Sequence, residues 1–373
     1  TRRSSDLVTS LDDENNTYTA SEGFTRDEFL VIMDKFVNND PDDNGEKDTL
    51  GFVGSSSTAH TWFSLLGSFG LSYNNLEENG QTIEYFSSVK YKEFLKFAAG
   101  LYKNGYMDRE FFTNDWTRLQ EKYSQQKAGY ISTQPSYMTK SNSVLWERAP
   151  LNMIKNNPAG KIVLCPPEIG PYGEQGVQYN TNTPFKYSFY IGNSVDNEKL
   201  ERILNIFDYA AASKEGYIKL TFGEEGVHYT IEDTKYGKMR MLKENVKPNG
   251  APDGLSVFST NMFLPADGRA DLNTAPDALK LTNAVIGNPQ WTKYNVGPYR
   301  IDLFNETDIL NVRADVSGTI DTVVSEFYAK SVAGEIDVNA EWDNYIDTLY
   351  KAGYQRILDE LNKAPLFKEV MGK

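Results

Sequence analysis

Asp40-Pro41-Asp42-Asp43-Asn44-Gly45-Glu46-Lys47-Asp48 puts oxygen-bearing side chains at positions one, three, five and nine of a loop, with glycine at six. A hard cation such as Ca2+ collects about six to eight oxygens, and alternate residues of a tight loop can aim carboxylates at one centre. The spacing matches the first three quarters of an EF-hand loop. Glu46, at position seven, would offer its backbone carbonyl. Position twelve is Gly51, where a calcium sensor carries a bidentate glutamate, and no second loop of this kind follows. The expectation is a structural Ca2+ site built from Asp40, Asp42, Asn44, Glu46 and Asp48. The alternative is an acidic turn that binds nothing.

Working outward, Thr25-Arg26-Asp27-Glu28 reads as a capping box that opens a helix. Phe29, Ile32, Met33, Phe36 and Val37 then recur at helical spacing and lead into the loop. Leu50-Gly51-Phe52-Val53-Gly54 reads as a strand leaving it. Residues 1–24 are polar and turn-rich. Further helices are expected over 58–69, around Phe94 to Tyr102, over 116–126, 196–211 and 214–222, and through most of the chain's end. Strands are expected at 82–85, 129–132, 162–165 and 187–191. Residues 70–80 read as a loop and 223–275 as irregular. Strands alternating with helices, followed by a helical tail, indicate an α/β class.

The 373 residues are 39% hydrophobic and 13% aromatic, enough for a substantial core. The net charge of −14 would repel a phosphate backbone, and no basic cluster interleaved with aromatics offsets it, so nucleic-acid binding is disfavoured. The single cysteine, Cys165, lies in the apolar run Ile162-Val163-Leu164-Cys165 and reads as a buried strand residue, with a reactive thiol as the alternative. No run of eighteen apolar residues and no signal peptide is present. The chain opens at Thr1-Arg2-Arg3 without an initiator Met, which suggests that upstream sequence has been removed.

Several short motifs follow the loop in a fixed order. They are Trp62 with Gly67-Ser68-Phe69-Gly70, Leu101-Tyr102-Lys103-Asn104-Gly105-Tyr106-Met107-Asp108, and Lys127-Ala128-Gly129-Tyr130. Then come Phe222-Gly223-Glu224-Glu225-Gly226-Val227-His228-Tyr229 and Gly334-Glu335-Ile336-Asp337 with Trp342-Asp343 and Tyr345. This order resembles the extracellular solute-binding proteins of ABC importers, most nearly the large lipoprotein branch that takes up oligosaccharides in Gram-positive bacteria. The resemblance runs from about residue 25 to 350.

That resemblance implies a periplasmic-binding-protein-like two-lobed fold of type II, with one nearly complete lobe and part of the other in this chain. The expected division is 1–183 as the lobe with the calcium loop, 184–245 as a segment returning to the other lobe, and 246–373 as hinge, cleft loops and C-terminal helices. The family binds its ligand in the cleft and passes it to a membrane permease. Its members carry a lipid anchor and a longer N-terminal part. The implied partners are therefore an oligosaccharide, an ABC permease and the missing N-terminal portion as a separate or cleaved chain. The implied location is the outer face of the bacterial cytoplasmic membrane. Structural Ca2+ is the one cofactor.

Sugar sites need flat apolar faces and fixed polar groups. Candidate ligand-binding residues are Trp62, Trp116, Tyr137, Trp146 and Trp291, with Gln134 as a polar partner, and Asn261 and Asp267 sit in loops that suit hydroxyl binding. Each aromatic also has a reading as a core residue. Trp342 lies on a helix stripe and reads as core. His60 and His228 are the only histidines, and His228 reads as a structural hydrogen-bonding residue of its turn. Nothing marks a catalytic residue: no Gly-x-Ser-x-Gly elbow, phosphate loop or dinucleotide fingerprint is present. A sugar-active hydrolase or lyase, and a calcium-dependent surface or assembly module, are the alternative functions. A peptide or another polar solute is an alternative ligand.

Overall fold

The computed structural model describes residues 8–13, 16–56, 59–132, 154, 157–178, 191–234, 237–243, 293–301 and 306–371. The chain divides into two compact units. The first comprises 1–133, 159–183 and 290–373, and the second comprises 134–158 and 184–289. These units stand beside the expected division into 1–183, 184–245 and 246–373. Residues 134–158 leave the first unit, and the C-terminal helices return to it.

The first unit starts with a hairpin, β1 (Val8–Asp12) and β2 (Thr17–Ala20), where the sequence suggested only polar turns. Helix α1 (Arg26–Asn38) follows. The Thr25 side chain accepts from the Glu28 amide and the Glu28 carboxylate from the Thr25 amide, so both halves of the expected capping box are made. Phe29 and Met33 of α1 are buried. Strand β3 (Leu50–Phe52) leaves the acidic loop. Next are a 3-10 turn (Ala59–Trp62), the short α2 (Phe63–Gly67) and the hairpin β4 (Asn75–Glu78) and β5 (Gln81–Glu84). Helix α3 (Val89–Lys103) and helix α4 (Trp116–Ser124) precede β6 (Ala128–Tyr130).

Strands β7 (Ile162–Leu164) and β8 (Val177–Gln178) complete this part of the unit. β3 pairs parallel with β6, and β2 pairs parallel with β7. Gly129 is needed where it stands, since a Cβ there would lie 2.2 Å from the Phe36 ring of α1. Gly67 allows α2 to meet the Gly176 backbone, which a Cβ would approach to 1.7 Å.

The second unit carries α5 (Asn197–Ala212), α6 (Lys214–Phe222) and the hairpin β9 (Tyr229–Thr234) and β10 (Gly237–Leu242). Tyr217 and Tyr229 form its buried centre, with Ile218 and Ile231 beside them. The hairpin falls inside the region expected to be irregular. The strand expected at 187–191 lies almost wholly outside the described residues.

The chain rejoins the first unit with β11 (Asn295–Val296), paired parallel to β8. Helices α7 (Glu306–Ala333), α8 (Val338–Lys351), α9 (Tyr354–Leu361) and α10 (Phe367–Met371) end it. The core of this unit joins Phe29, Phe52, Trp62, Phe94 and Phe111 to Phe327, Trp342 and Tyr345 of the C-terminal helices. Phe327 and Tyr345 stack with centroids 4.0 Å apart and planes 9° apart. Two polar contacts fix α7 and α9 on the β4–β5 hairpin. Arg313 pairs with the nearly buried Glu84 at 2.7 Å, and the Tyr354 hydroxyl accepts from the Glu84 amide at 2.8 Å.

Candidate functional site

In open α/β sheets, ligands collect beyond the carboxyl ends of parallel strands, where the backbone turns away and side chains converge. Tyr130 is the last residue of β6. Its hydroxyl donates to Glu168 Oε1 at 2.6 Å, and Glu168 belongs to the segment Pro166-Pro167-Glu168 that follows β7. Ser64 Oγ of α2 lies 2.8 Å from the same hydroxyl. Two parallel pairs and the start of α2 therefore bring three polar side chains together at one strand edge. Glu168 is 1% exposed, and its Oε2 has no hydrogen-bond partner. Burial pushes its carboxyl up, against the opposing pull of the Tyr130 and Ser64 hydroxyls. Ser64 and Tyr130 are half-buried.

Cys165 stands in the same segment. Burial, with Glu168 nearby, pushes its thiol up to about 12. A thiol held protonated is a poor nucleophile; Cys165, expected as a buried strand residue, lies one position past the end of β7 and is half-buried.

Trp62 is corrected from a ligand platform to a core residue. It is 3% exposed, and its ring is enclosed by Phe52, Phe94 and Phe111 at centroid distances of 4.9, 5.2 and 5.6 Å. Its Nε1 donates to the Tyr328 hydroxyl at 2.7 Å, tying the start of α2 to α7. With its faces covered, the indole has no surface left for a sugar. Trp116 heads α4, which Asp115 caps by accepting from the Arg118 amide. Gln134, Tyr137, Trp146, Trp291, Asn261 and Asp267 lie outside the described residues. Trp342 is core, as expected, at 5% exposure. His228 Nδ1 accepts from the Glu224 amide at 2.9 Å, and its own amide donates to the Glu224 carbonyl at 2.8 Å. It closes the turn after α6 and has the structural role expected of it.

The acidic loop folds around Asp40, whose two carboxylate oxygens accept from the Asn44 and Gly45 amides at 3.1 and 2.9 Å. Gly45 has φ +87°, the left-handed conformation that the sixth position requires. The Asn44 side-chain amide donates to Asp42 at 2.9 Å and to Asp48 at 3.2 Å. Asp48 also pairs with Lys127 at 3.1 Å. Asp42 Oδ1 is buried without a partner. Its carboxyl is pushed up by burial first, then by a hydrogen bond with Asp40 and the charges of Asp48 and Asp40. A cation here would relieve this crowding of carboxylates, and Asp40, Asp42, Asn44, the Glu46 carbonyl and Asp48 are the residues the spacing would use to hold it. Among the described residues, no group of three or more His, Cys, Asp or Glu is placed to hold a metal ion. Gly51 cannot be exchanged for the missing glutamate, because a Cβ there would lie 2.8 Å from the Tyr106 carbonyl.

No family model matches the chain. It is 31% identical over 345 residues to the fructooligosaccharide ABC transporter substrate-binding protein FusA of Streptococcus pneumoniae, an alignment covering 88% of this chain and 59% of FusA. This chain is a relative of ABC-transporter substrate-binding proteins. The polygalacturonan/rhamnogalacturonan-binding protein YtcQ of Bacillus subtilis is 23% identical over 345 residues, covering 91% of this chain and 64% of YtcQ. The chain thus spans less than two thirds of the curated relatives it matches. These relatives are binding proteins and not enzymes.

Among solved structures, alginate-binding protein AlgQ2 without calcium ion superposes with a TM-score of 0.64 at 18% identity, covering 92% of this chain and 68% of AlgQ2. A FusA EF-hand mutant in complex with fructo-nystose gives 0.62 at 19% identity, covering 94% of this chain and 69% of the mutant chain. The fold is the two-lobed α/β fold of solute-binding proteins.

The Ser64–Tyr130–Glu168 group escaped the sequence reading. Tyr130 stood in a quoted motif, but nothing in the spacing of 64, 130 and 168 announces that they meet. The one available signal was a polar Glu168 placed directly after an apolar strand and two prolines.

Proposed function

We propose that this chain is the greater part of an extracellular receptor that binds an oligosaccharide and delivers it to an ABC permease. The supporting observation is the 31% identity to FusA across 88% of the chain. The polar group at the strand edge suits hydroxyl-rich ligands, since hydroxyls need paired donors and acceptors at fixed positions. Binding, with no covalent chemistry, is the function: the buried Glu168 faces hydroxyls, and among the described residues no second carboxylate acts on it. The location is the outer face of a bacterial cytoplasmic membrane, with the protein held by a lipid anchor. The acidic loop binds Ca2+ and serves stability. The FusA EF-hand mutant and the calcium-free AlgQ2 structure support such a loop in this fold.

A thermal-shift series tests this reading. Nystose, an oligogalacturonide, a short peptide and spermidine are each added at fixed calcium. A ligand at a hundred times its dissociation constant stabilises by roughly 2.7 kcal/mol. The expected result is a rise with one glycan and none with the peptide or polyamine. A rise with the peptide alone would overturn the oligosaccharide assignment.

A further inference from the structure

We propose that Ser64, Tyr130 and Glu168 form a polar subsite for a ligand hydroxyl, in which Glu168 decides whether Ser64 presents a donor or an acceptor. The proposal rests on the oligosaccharide reading above and adds to it a specificity element. Its basis is a chain of two short hydrogen bonds, Ser64 to Tyr130 at 2.8 Å and Tyr130 to Glu168 at 2.6 Å. The chain runs from a half-buried hydroxyl to a carboxyl that is 1% exposed. A hydroxyl donates once, so the direction of one bond fixes the direction of the next.

When Glu168 is ionised it can only accept. Tyr130 then donates to it, Ser64 donates to Tyr130, and Ser64 turns lone pairs toward the strand edge. When Glu168 is neutral, a proton on Oε2 would have no partner, because that oxygen is buried and unbonded. On the oxygen facing Tyr130 the same proton completes a hydrogen bond. Tyr130 then donates to Ser64, and the Ser64 proton points outward. Among the described residues, the groups that act on Glu168 are the Tyr130 hydroxyl of β6, the Ser64 hydroxyl of α2 and its own backbone, none of them charged; the Cys165 thiol stands nearby in the same segment. An ionised Glu168 would leave a bare anionic oxygen in the interior, a costly arrangement. Burial favours the neutral form, and in that form Ser64 is a donor. Glu168 is a positioning residue, and Ser64 is the group that meets ligand.

Two measurements on the protein test this. The first is a difference infrared spectrum at pH 7, wild type against Glu168→Gln, without ligand. A protonated-carboxyl band lost in the variant is expected, and its absence would overturn the proposal. The second is the pH dependence of the dissociation constants for nystose and an oligogalacturonide. Wild-type affinity is expected to change as the band disappears with rising pH, while Glu168→Gln is flat across that range. Ser64→Ala is expected to bind about two- to tenfold more weakly at pH 7, the worth of one neutral hydrogen bond, and to lose the same pH dependence. If Glu168→Gln does not fold, Ser64→Ala and Tyr130→Phe carry the test. Unchanged affinity and an unchanged pH profile in Ser64→Ala would overturn the subsite. If neither sugar binds at any pH, the subsite falls with the oligosaccharide reading. The infrared band then shows whether the proton assignment to Glu168 was itself wrong.

Discussion

At the scale of single residues, burial decides which candidates survive. Trp62 combined a large flat ring with a position ahead of a glycine bend, and those features suit a sugar platform or a core residue equally. Three enclosing rings and one bond to Tyr328 settle it for the core. Tyr328 comes from α7, hundreds of positions downstream, and no local pattern connects the two. Trp62→Ala is expected to cost about 3–5 kcal/mol of stability, read from denaturant unfolding. A small stability change with lost ligand affinity would return Trp62 to the binding site.

Asp42 gives a prediction with a change of sign. Its unpartnered oxygen and anionic neighbours make it unfavourable without a cation and useful with one. Asp42→Asn is expected to lower the melting temperature in calcium and to leave it unchanged or raised in chelator. Equal losses in both buffers would show that the loop binds no metal. Glu168 sets a pH dependence. Its folded-state carboxyl titrates above the ordinary carboxylate range. Within that window the folded chain keeps a proton that the unfolded chain has lost, so stability falls as pH rises, with the full penalty above the raised value. Glu168→Gln is expected to flatten the stability profile over that window, as followed by thermal unfolding from pH 4 to 9.

At the scale of elements, the sequence was readable wherever local chemistry suffices. The capping box at Thr25 and Glu28, the helices α3 to α6 and the strands β3, β6 and β7 all follow from caps and periodicity. Two hairpins did not emerge, and of the β4–β5 hairpin only β5 did, from the strand expected at 82–85. The β4–β5 turn had an available signal in Asn79-Gly80, a pair that supplies two left-handed residues. Their φ angles are +55° and +79°. The surrounding Asn and Glu residues masked β4, which has little apolar alternation and falls in the stretch read as a loop. β2 lies between β1 and the distant β7 and pairs with both, and the β7 contact is one that local propensity does not contain. Gly80→Ala is expected to cost about 1–2 kcal/mol, because a Cβ there meets nothing within 4 Å and only the backbone strain remains. Asn79→Gly is expected to be close to neutral. Matching losses from both changes, in thermal unfolding, would contradict that explanation.

At the scale of the whole molecule, the order of weak motifs carried more than any one of them. The calcium-type loop, the glycine bend, the Gly-Tyr strand and the Phe-Gly-x-Glu-Gly-Val-His-Tyr turn together indicated the two-lobed fold, which the structural neighbours show. Their glycines have physical tasks at Gly67 and Gly129, where a neighbouring backbone or ring leaves no room for a side chain. Residues 290–373 close the core begun by residues 25–112, an association built from long-range aromatic packing.

Oligosaccharide binding is the central claim, and calorimetric titration tests it most directly. Nystose and an oligogalacturonide are titrated into the protein at pH 7 in calcium, and the sugar is recovered afterwards by chromatography. The account predicts saturable heat with one of them, at one site per chain, and recovery of the sugar intact. Absence of heat with both, or recovery of a cleaved sugar, would contradict it.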